Sequence, residues 1–183
     1  MALELLQSVV DVARAIFGAQ ASSVFLLDES AGELVFQAVS GRGEEFLVGR
    51  RFPASRGIAG WVAVSGEPII VDNLADNPSF DRSLAQSTEY VPDAMMAAPL
   101  IHGDRVLGVL EVLDPAPQAR SSLPELDLLS LFARQAAAAL RFTTSRQAGS
   151  GDGAPTGLPP QSRAAATRLI RELEHLLGEA PDW

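Results

Sequence analysis

The sequence predicts an α/β protein of the α+β type, a central antiparallel sheet with an N-terminal and a C-terminal helix packed on one of its faces. Three observations carry this. Two pairs of apolar segments are each joined by a short turn containing glycine, which is the pattern of hairpins. Two long segments with helical apolar spacing stand before the first pair and after the second. Both helices carry more apolar surface than one sheet face can cover, so they are expected to pack side by side on that face and then on a second copy of the chain.

The elements follow in order. Ala2 to Phe17 has one apolar stripe through Leu3, Leu6, Val10, Ala13 and Phe17 and a second through Leu5, Val9, Val12 and Ile16, leaving a thin polar stripe through Glu4, Ser8, Asp11 and Arg14. Ser22 to Leu27 and Leu34 to Val39 form a hairpin around Glu29-Ser30-Ala31-Gly32. A short helix follows from Gly57, with Ser55 as its expected cap and Ser65-Gly66 as its stop. Ile69 to Val71 reads as a strand ended by Asp72-Asn73, and Met95 to Ile101 pairs with Arg105 to Leu113 across Gly103-Asp104. Ser122-Leu123-Pro124-Glu125 has capping-box spacing and opens a helix to about Thr143. Leu126, Leu129, Phe132, Ala133, Ala136 and Leu140 lie on one side of it, with Leu128, Leu131 and Ala138 beside them. The expected assembly is a homodimer through helices 2–17 and 122–143.

Composition narrows the chemistry. The 183 residues include no cysteine and no lysine, and all 14 basic residues are arginine. Without cysteine there is no disulfide, thiolate metal site, thiol nucleophile or thioether attachment of a bilin. Without lysine there is no phosphate-loop lysine and no Schiff base. A net charge of −9 disfavours binding to nucleic acid or to an anionic membrane. No apolar run reaches the ~18 residues of a membrane span, and the N-terminus lacks a basic region before an apolar one, so a cytoplasmic protein is expected.

The most informative stretch is Arg56-Gly57-Ile58-Ala59-Gly60-Trp61-Val62-Ala63, followed by Ser65-Gly66-Glu67-Pro68 and Ile69-Ile70-Val71-Asp72-Asn73. Its glycines either let a ligand approach the start of the helix or simply permit close packing. The stretch resembles the central signature of the GAF domain, a small-molecule-sensing module of signalling proteins. Ala98-Pro99-Leu100, Gly103, Gly108-Val109-Leu110 and the Glu-Leu-Asp-Leu-Leu and Ala-Arg-Gln-Ala-Ala runs of the last helix are similar to the family's later elements in order and spacing. The resemblance covers residues 1–144. Residues 145–160 read as a flexible linker rich in glycine, proline and serine, and 161–183 as a tail holding an amphipathic helix from Ser162 to Leu177. That helix is expected to dock on its own domain, on its dimer mate or on a protein partner.

The resemblance implies a ligand pocket on the sheet face away from the terminal helices, closed by the connection after the signature, here Asp72 to Asp93. The candidate ligand-binding residues are Gly57, Ile58, Trp61, Asp72 and Asn73 from the signature, Phe80 and Tyr90 from the connection, and Met95 and Glu111 from the later strands. Leu84 is a further inward candidate. The alternative for the three apolar lid residues is a satellite core. Asp72, Asp76, Asp81, Glu89 and Asp93 face one base, Arg82, which argues against a phosphate ligand. Some GAF domains that bind cyclic nucleotides carry an Asn-Lys pair, a Phe and an Asp-Glu pair where this chain has Asp114-Pro115, Leu123 and Leu126-Asp127. Arg42, Arg50, Arg51 and Arg56 either form an anion patch or are scattered surface charges.

Glu111 lies in an otherwise apolar strand, Val109 to Leu113. It either faces the pocket as a ligand-orienting carboxylate or faces the terminal helices and pairs with Arg14 or Arg134. Met95-Met96 reads as soft core filling, and His102 at a hairpin turn and His175 on the tail helix fall off the expected pocket wall, so neither is expected to ligate haem. No nucleophile–base pair is visible, and the GAF-type enzymes that reduce free methionine sulfoxide work through cysteines. The expectation is a non-enzymatic sensor of a small apolar or weakly polar molecule, without metal or cofactor, whose output lies in a partner or another region. The competing expectation is a ligand-free dimerising adaptor whose pocket is plugged by Phe25, Phe36, Trp61 and Met96.

Overall fold

Side chains alternate across the central strands so that the sheet has two apolar faces, and different helices cover each. The computed structural model describes residues 2–42, 44–87, 90–117 and 123–148. In chain order these form α1 (Ala2–Phe17), β1 (Ala21–Asp28), β2 (Glu33–Gly41), α2 (Glu44–Leu47), β3 (Arg51–Pro53), α3 (Gly57–Ser65) and β4 (Ile69–Val71). A 3-10 turn (Leu74–Asp76), α4 (Arg82–Ser87), β5 (Met95–His102), β6 (Arg105–Leu113) and α5 (Leu123–Ala148) follow. The strand order is β3-β2-β1-β6-β5-β4, and every neighbouring pair is antiparallel. Both expected hairpins are present, and the β1–β6 ladder joins them.

On the first face, Leu6, Val10, Ala13 and Phe17 of α1 and Leu129, Ala133, Ala136 and Leu140 of α5 pack with Val24, Met96, Leu100, Leu110 and Val112 of the strands. Burying a side chain of this size stabilises the fold by about 1.5–3 kcal/mol. On the second face, α3 lies over Phe25, Met95, Ala97 and Val109, presenting Ile58, Ala59, Val62 and Ala63 to them. A bulge keeps β2 in step with this division. The β1–β2 register shifts between Val24 and Phe25, so Phe36 stands opposite Phe25 and Gln37 is the extra residue. Leu34 and Phe36 before the bulge and Val39 after it all serve the second face, whereas Ala38 serves the first.

Several local expectations need correction. The N-cap of α3 is Arg56 in extended conformation with no side-chain cap bond, because Ser55 stands one residue too far from the first helical turn. At the other end Gly66 is left-handed, and its N–H donates to the Val62 carbonyl, as the Ser65-Gly66 stop implied. Gly60 packs against the preceding loop rather than a ligand, since a Cβ there would meet the Ala54 carbonyl oxygen at 2.6 Å. The strand β3 and the turn of helix α2 were not expected; Gly49 and Pro53 interrupt that stretch and leave too few residues for a pattern. Met96 lies on the first face and plugs nothing on the second. The capping serine at 122, Glu89, the linker, the tail helix and His175 lie outside the described residues, as does the side chain of Leu84.

Gly108 marks where the fold tolerates least change. It stands opposite Leu26 on one side and Leu100 on the other, and a Cβ there would overlap the Phe25 carbonyl oxygen. We expect Gly108→Ala to cost roughly 3 kcal/mol by forcing the central ladder apart. Gly32→Ala, at a left-handed turn with open space around it, should cost about 1 kcal/mol. Urea unfolding midpoints test the difference, and equal losses would contradict this account of the ladder.

Candidate functional site

The second face is not fully covered by α3. Beside the helix a cavity opens whose floor is Ser23 and Phe25 of β1, Phe36 of β2, Met95 of β5 and Glu111 and Leu113 of β6. Leu47, Phe52, Gly57 and Ile58 form its walls, and Phe80, Asp81, Ala85, Tyr90 and Pro92 from the connection between β4 and β5 form its roof. The space open to the centre of a water molecule is about 70 Å³, room for several waters. Phe25 meets Phe36 and Phe52 edge-on, with ring centroids 4.5 and 5.2 Å away, so the aromatic floor is rigid.

Glu111 is the singular feature of that floor. Strand alternation puts it on the cavity face, opposite Ser23 of β1 and Ala97 of β5. The residue is only 6% exposed. No described side chain bonds to its carboxylate, and no fully buried side-chain oxygen lacks a partner, so its oxygens reach the cavity space. Burial alone pushes its pKa from an ordinary 4.5 up to about 8. The pairing with Arg14 or Arg134 does not occur, because α1 and α5 lie on the other face.

The roof is fastened at three places. Its two ends are pinned by the Leu74 N–H donating to the Asp93 carbonyl at 2.9 Å. Arg56 pairs with Asp81 at 2.7 Å across the mouth, and Arg82 donates to the Ala75 carbonyl at 2.6 Å. Asp114, just past β6 in left-handed conformation, forms the third fastening. One of its carboxylate oxygens accepts the N–H groups of Asp93 and Ala94, each at 2.9 Å, and the other accepts the Tyr90 hydroxyl. Burial and then this bond raise the Tyr90 pKa well above the ordinary phenol value. The exposed Arg42 guanidinium stacks over the Tyr90 ring at 5.0 Å.

Of the residues singled out from sequence, the cavity gathers Gly57, Ile58, Phe80, Tyr90, Met95 and Glu111. Trp61 lies outside it, 44% exposed, where with Val64 and Pro78 it borders an outer groove that shares Arg56, Gly57, Phe80 and Asp81 with the cavity. Helix α3 is apolar all round, so its sequence did not tell which side faces in. Asp72 and Asn73 are exposed beyond the end of β4, where Asn73 turns the chain in left-handed conformation. The four arginines do not form one patch. Arg51 pairs with Asp28 and Glu33, Arg50 lies over Phe46, and only Arg42 and Arg56 border the cavity. Ser23, Leu47 and Phe52 are not among the sequence candidates, and Asp81 is named there only as one acid of the connection; Ser23 is visible as a polar residue entering an apolar strand, whereas Leu47 and Phe52 depend on tertiary packing.

A family model described as GAF domain matches residues 2–140. A probable 3',5'-cyclic phosphodiesterase of Caenorhabditis elegans is 26% identical over 115 residues, which are 58% of this chain and 16% of that protein. The chain thus spans about a sixth of that relative's length. Among solved structures, the GAF domain of a phosphoenolpyruvate-protein phosphotransferase from Coxiella burnetii superposes with a TM-score of 0.72 at 22% identity, covering 80% of this chain and 86% of that one. Free methionine-R-sulfoxide reductase from Neisseria meningitidis, solved with its substrate, superposes with a TM-score of 0.59 at 24% identity, covering 81% of each chain.

Two outcomes are expected at this site. Because the folded chain holds the Glu111 proton more tightly than the unfolded chain, the stability it contributes is complete below pH 4.5 and is lost as pH rises through 8. The gap between wild type and Glu111→Gln should therefore move in favour of the variant by on the order of a few kcal/mol across that window, as measured by chemical unfolding. Asp114→Gly keeps the left-handed backbone and removes the carboxylate. Amide exchange at Asp93 and Ala94 should then quicken at least about tenfold, equivalent to ~1.4 kcal/mol, while the β1–β6 ladder stays protected; unchanged exchange would show that the roof is held elsewhere.

Proposed function

The chain belongs to the GAF domain family, a small-molecule-sensing signalling family, and on that premise we propose that it is a non-catalytic sensor. A small, largely apolar molecule enters the cavity, and its contacts favour one arrangement of roof and terminal helices over another. The observation that carries this reading is Glu111, an unpartnered carboxyl at the floor of a roofed apolar cavity. A pocket filled by its own side chains has no use for such a group, whereas a ligand site uses a few placed polar groups to orient its guest.

The likeness to a cyclic phosphodiesterase does not extend to a cyclic nucleotide here. The free space is small, and Asp114, where such GAF domains carry the Asn of their Asn-Lys pair, is engaged in holding the roof. The likeness in fold to methionine sulfoxide reductase does not extend to its chemistry either, since a chain with zero cysteines offers no thiol.

The outward side of α1 supports assembly as a homodimer. Leu3, Val12 and Ile16 are exposed there, and Leu131 is exposed on α5. These residues belong to the surplus stripes that one sheet face leaves uncovered. Among the described residues no helix is long and apolar enough to cross a membrane, and the reading is of a cytoplasmic protein that passes its signal through these helices, and through the tail helix, to a protein partner.

Native mass spectrometry of the chain purified from its own host tests the reading. We expect a dimer with a small mass excess that disappears on denaturation and is absent from Glu111→Gln. A bare dimer for both proteins would favour the ligand-free adaptor, with Phe25 and Phe36 as the filling, and a monomer at micromolar concentration would remove the helical interface.

A further inference from the structure

We propose that the ligand of this cavity is a small protonated amine, its ammonium seated on the Glu111 carboxylate and the Ser23 hydroxyl and its apolar body among the phenylalanines. The inference rests on the sensor reading and names the chemical class that reading leaves open.

Charge pairing around the cavity carries the argument. The charged or titratable groups facing it are Arg42, Arg56, Asp81, Tyr90 and Glu111. Arg56 and Asp81 neutralise each other at the mouth, 2.7 Å apart. Arg42 is exposed at the rim on the Tyr90 ring, and the Tyr90 hydroxyl is donated to Asp114. Only Glu111 lies at the floor, and no described cation reaches it. Ser23 stands opposite it in register and lines the same floor. The space next to these two groups therefore offers a buried carboxyl, able to ionise against a cation, and a hydroxyl, and otherwise only apolar surface.

A neutral guest can only bond the protonated carboxyl, whereas an ammonium lets that carboxyl ionise and gives the stronger, charge-assisted contact in a dry site. A metal ion would need several more oxygen ligands than the floor supplies. An organic ammonium meets both conditions at once. It supplies the countercharge that lets Glu111 ionise, and the rings of Phe25, Phe36 and Phe52 offer their surface to the alkyl body and, through their quadrupoles, to the cation. Free space of about 70 Å³ limits the guest to a few heavy atoms unless the roof lifts. The net charge of −9 favours the approach of cations over anions.

This binding mode has a proton signature. Burial keeps Glu111 largely protonated at neutral pH, so an ammonium must displace that proton to bind, and its affinity climbs as pH approaches 8. A guest that accepts a hydrogen bond from the protonated carboxyl would show the opposite trend. Isobutylamine, isobutanol and isobutyrate share a carbon skeleton and differ in the head group, so NMR titration of the full chain with each is decisive. We expect isobutylamine to shift the amide resonances of Ser23, Phe25 and Glu111, with a Kd lower by roughly fivefold at pH 8 than at pH 7. Glu111→Gln should abolish that response while its spectrum away from the cavity stays unchanged. If the alcohol or the acid binds in the cavity as well as the amine, or if the amine binds Glu111→Gln equally, the amine assignment falls and the sensor reading stands. If none of the three perturbs the cavity residues, the amine assignment falls, and the native mass of the purified chain decides the sensor reading separately.

Discussion

The ladder between β1 and β6, running from Ala21 opposite Leu113 to Leu26 opposite Gly108, is the constraint from which the other parts take their positions. Its two strands lie at opposite ends of the domain sequence, so pairing them closes the domain. It brings α1, which precedes β1, beside α5, which follows β6, and it joins two local hairpins into one sheet. One side of the same ladder supplies Val24, Leu110 and Val112 to the helical core, and the other supplies Ser23, Phe25 and Glu111 to the cavity. Helical core and cavity floor are therefore set by a single register. A slip of one residue would exchange their contents, putting Glu111 under the helices and Leu110 in the cavity. Such non-local pairing must be reached after a long loop has closed, which makes this ladder a late and demanding step in folding.

Within that frame the cavity departs from what stability alone would select. Val109 and Leu113 flank Glu111 on the same face, and a leucine at position 111 would extend the apolar surface without interruption. Instead a carboxyl is buried there without a protein partner, while most of the other charges near the cavity are paired or solvated. Places where a chain disobeys the rules it follows elsewhere are where function is expected to reside. The rigidity of the aromatic floor and the triple fastening of the roof serve the same end, since a guest can bias a structure only if the alternatives are few and distinct.

The sheet and its flanking helices were legible in the sequence because they rest on periodicity, and periodicity is local. The two stripes of α1, the alternation of β5 and β6 and the glycine turns each state their geometry within a dozen residues. The short elements were not legible: β3 and α2 owe their conformation to β2, which supplies the Phe36 carbonyl and N–H that hold Gly49 and Arg50. Two thirds of the candidate residues reached the cavity for a similar reason. Glu111 and Met95 follow from strand alternation once the faces are known, and Gly57, Phe80 and Tyr90 follow from the resemblance. Trp61 misled because a helix apolar on every side carries no marker of its inner face. Asp72 and Asn73 misled because polar residues at a strand end suit a turn as well as a ligand.

Asp114 belongs at once to two parts of the molecule. Its carboxylate holds the roof through Tyr90, Asp93 and Ala94, and its own backbone is the first link of the segment that carries the chain from β6 toward α5. Asp114 thus ties the roof to the end of β6 through one residue whose left-handed backbone leaves it little freedom to absorb strain. Linkage of this kind runs in both directions. If the cavity takes a guest as proposed, anything that docks against α5 and thereby shifts Asp114 would alter how tightly that guest is held by the same factor that the guest alters the docking, so the concentration at which the cavity fills would depend on what its helices touch.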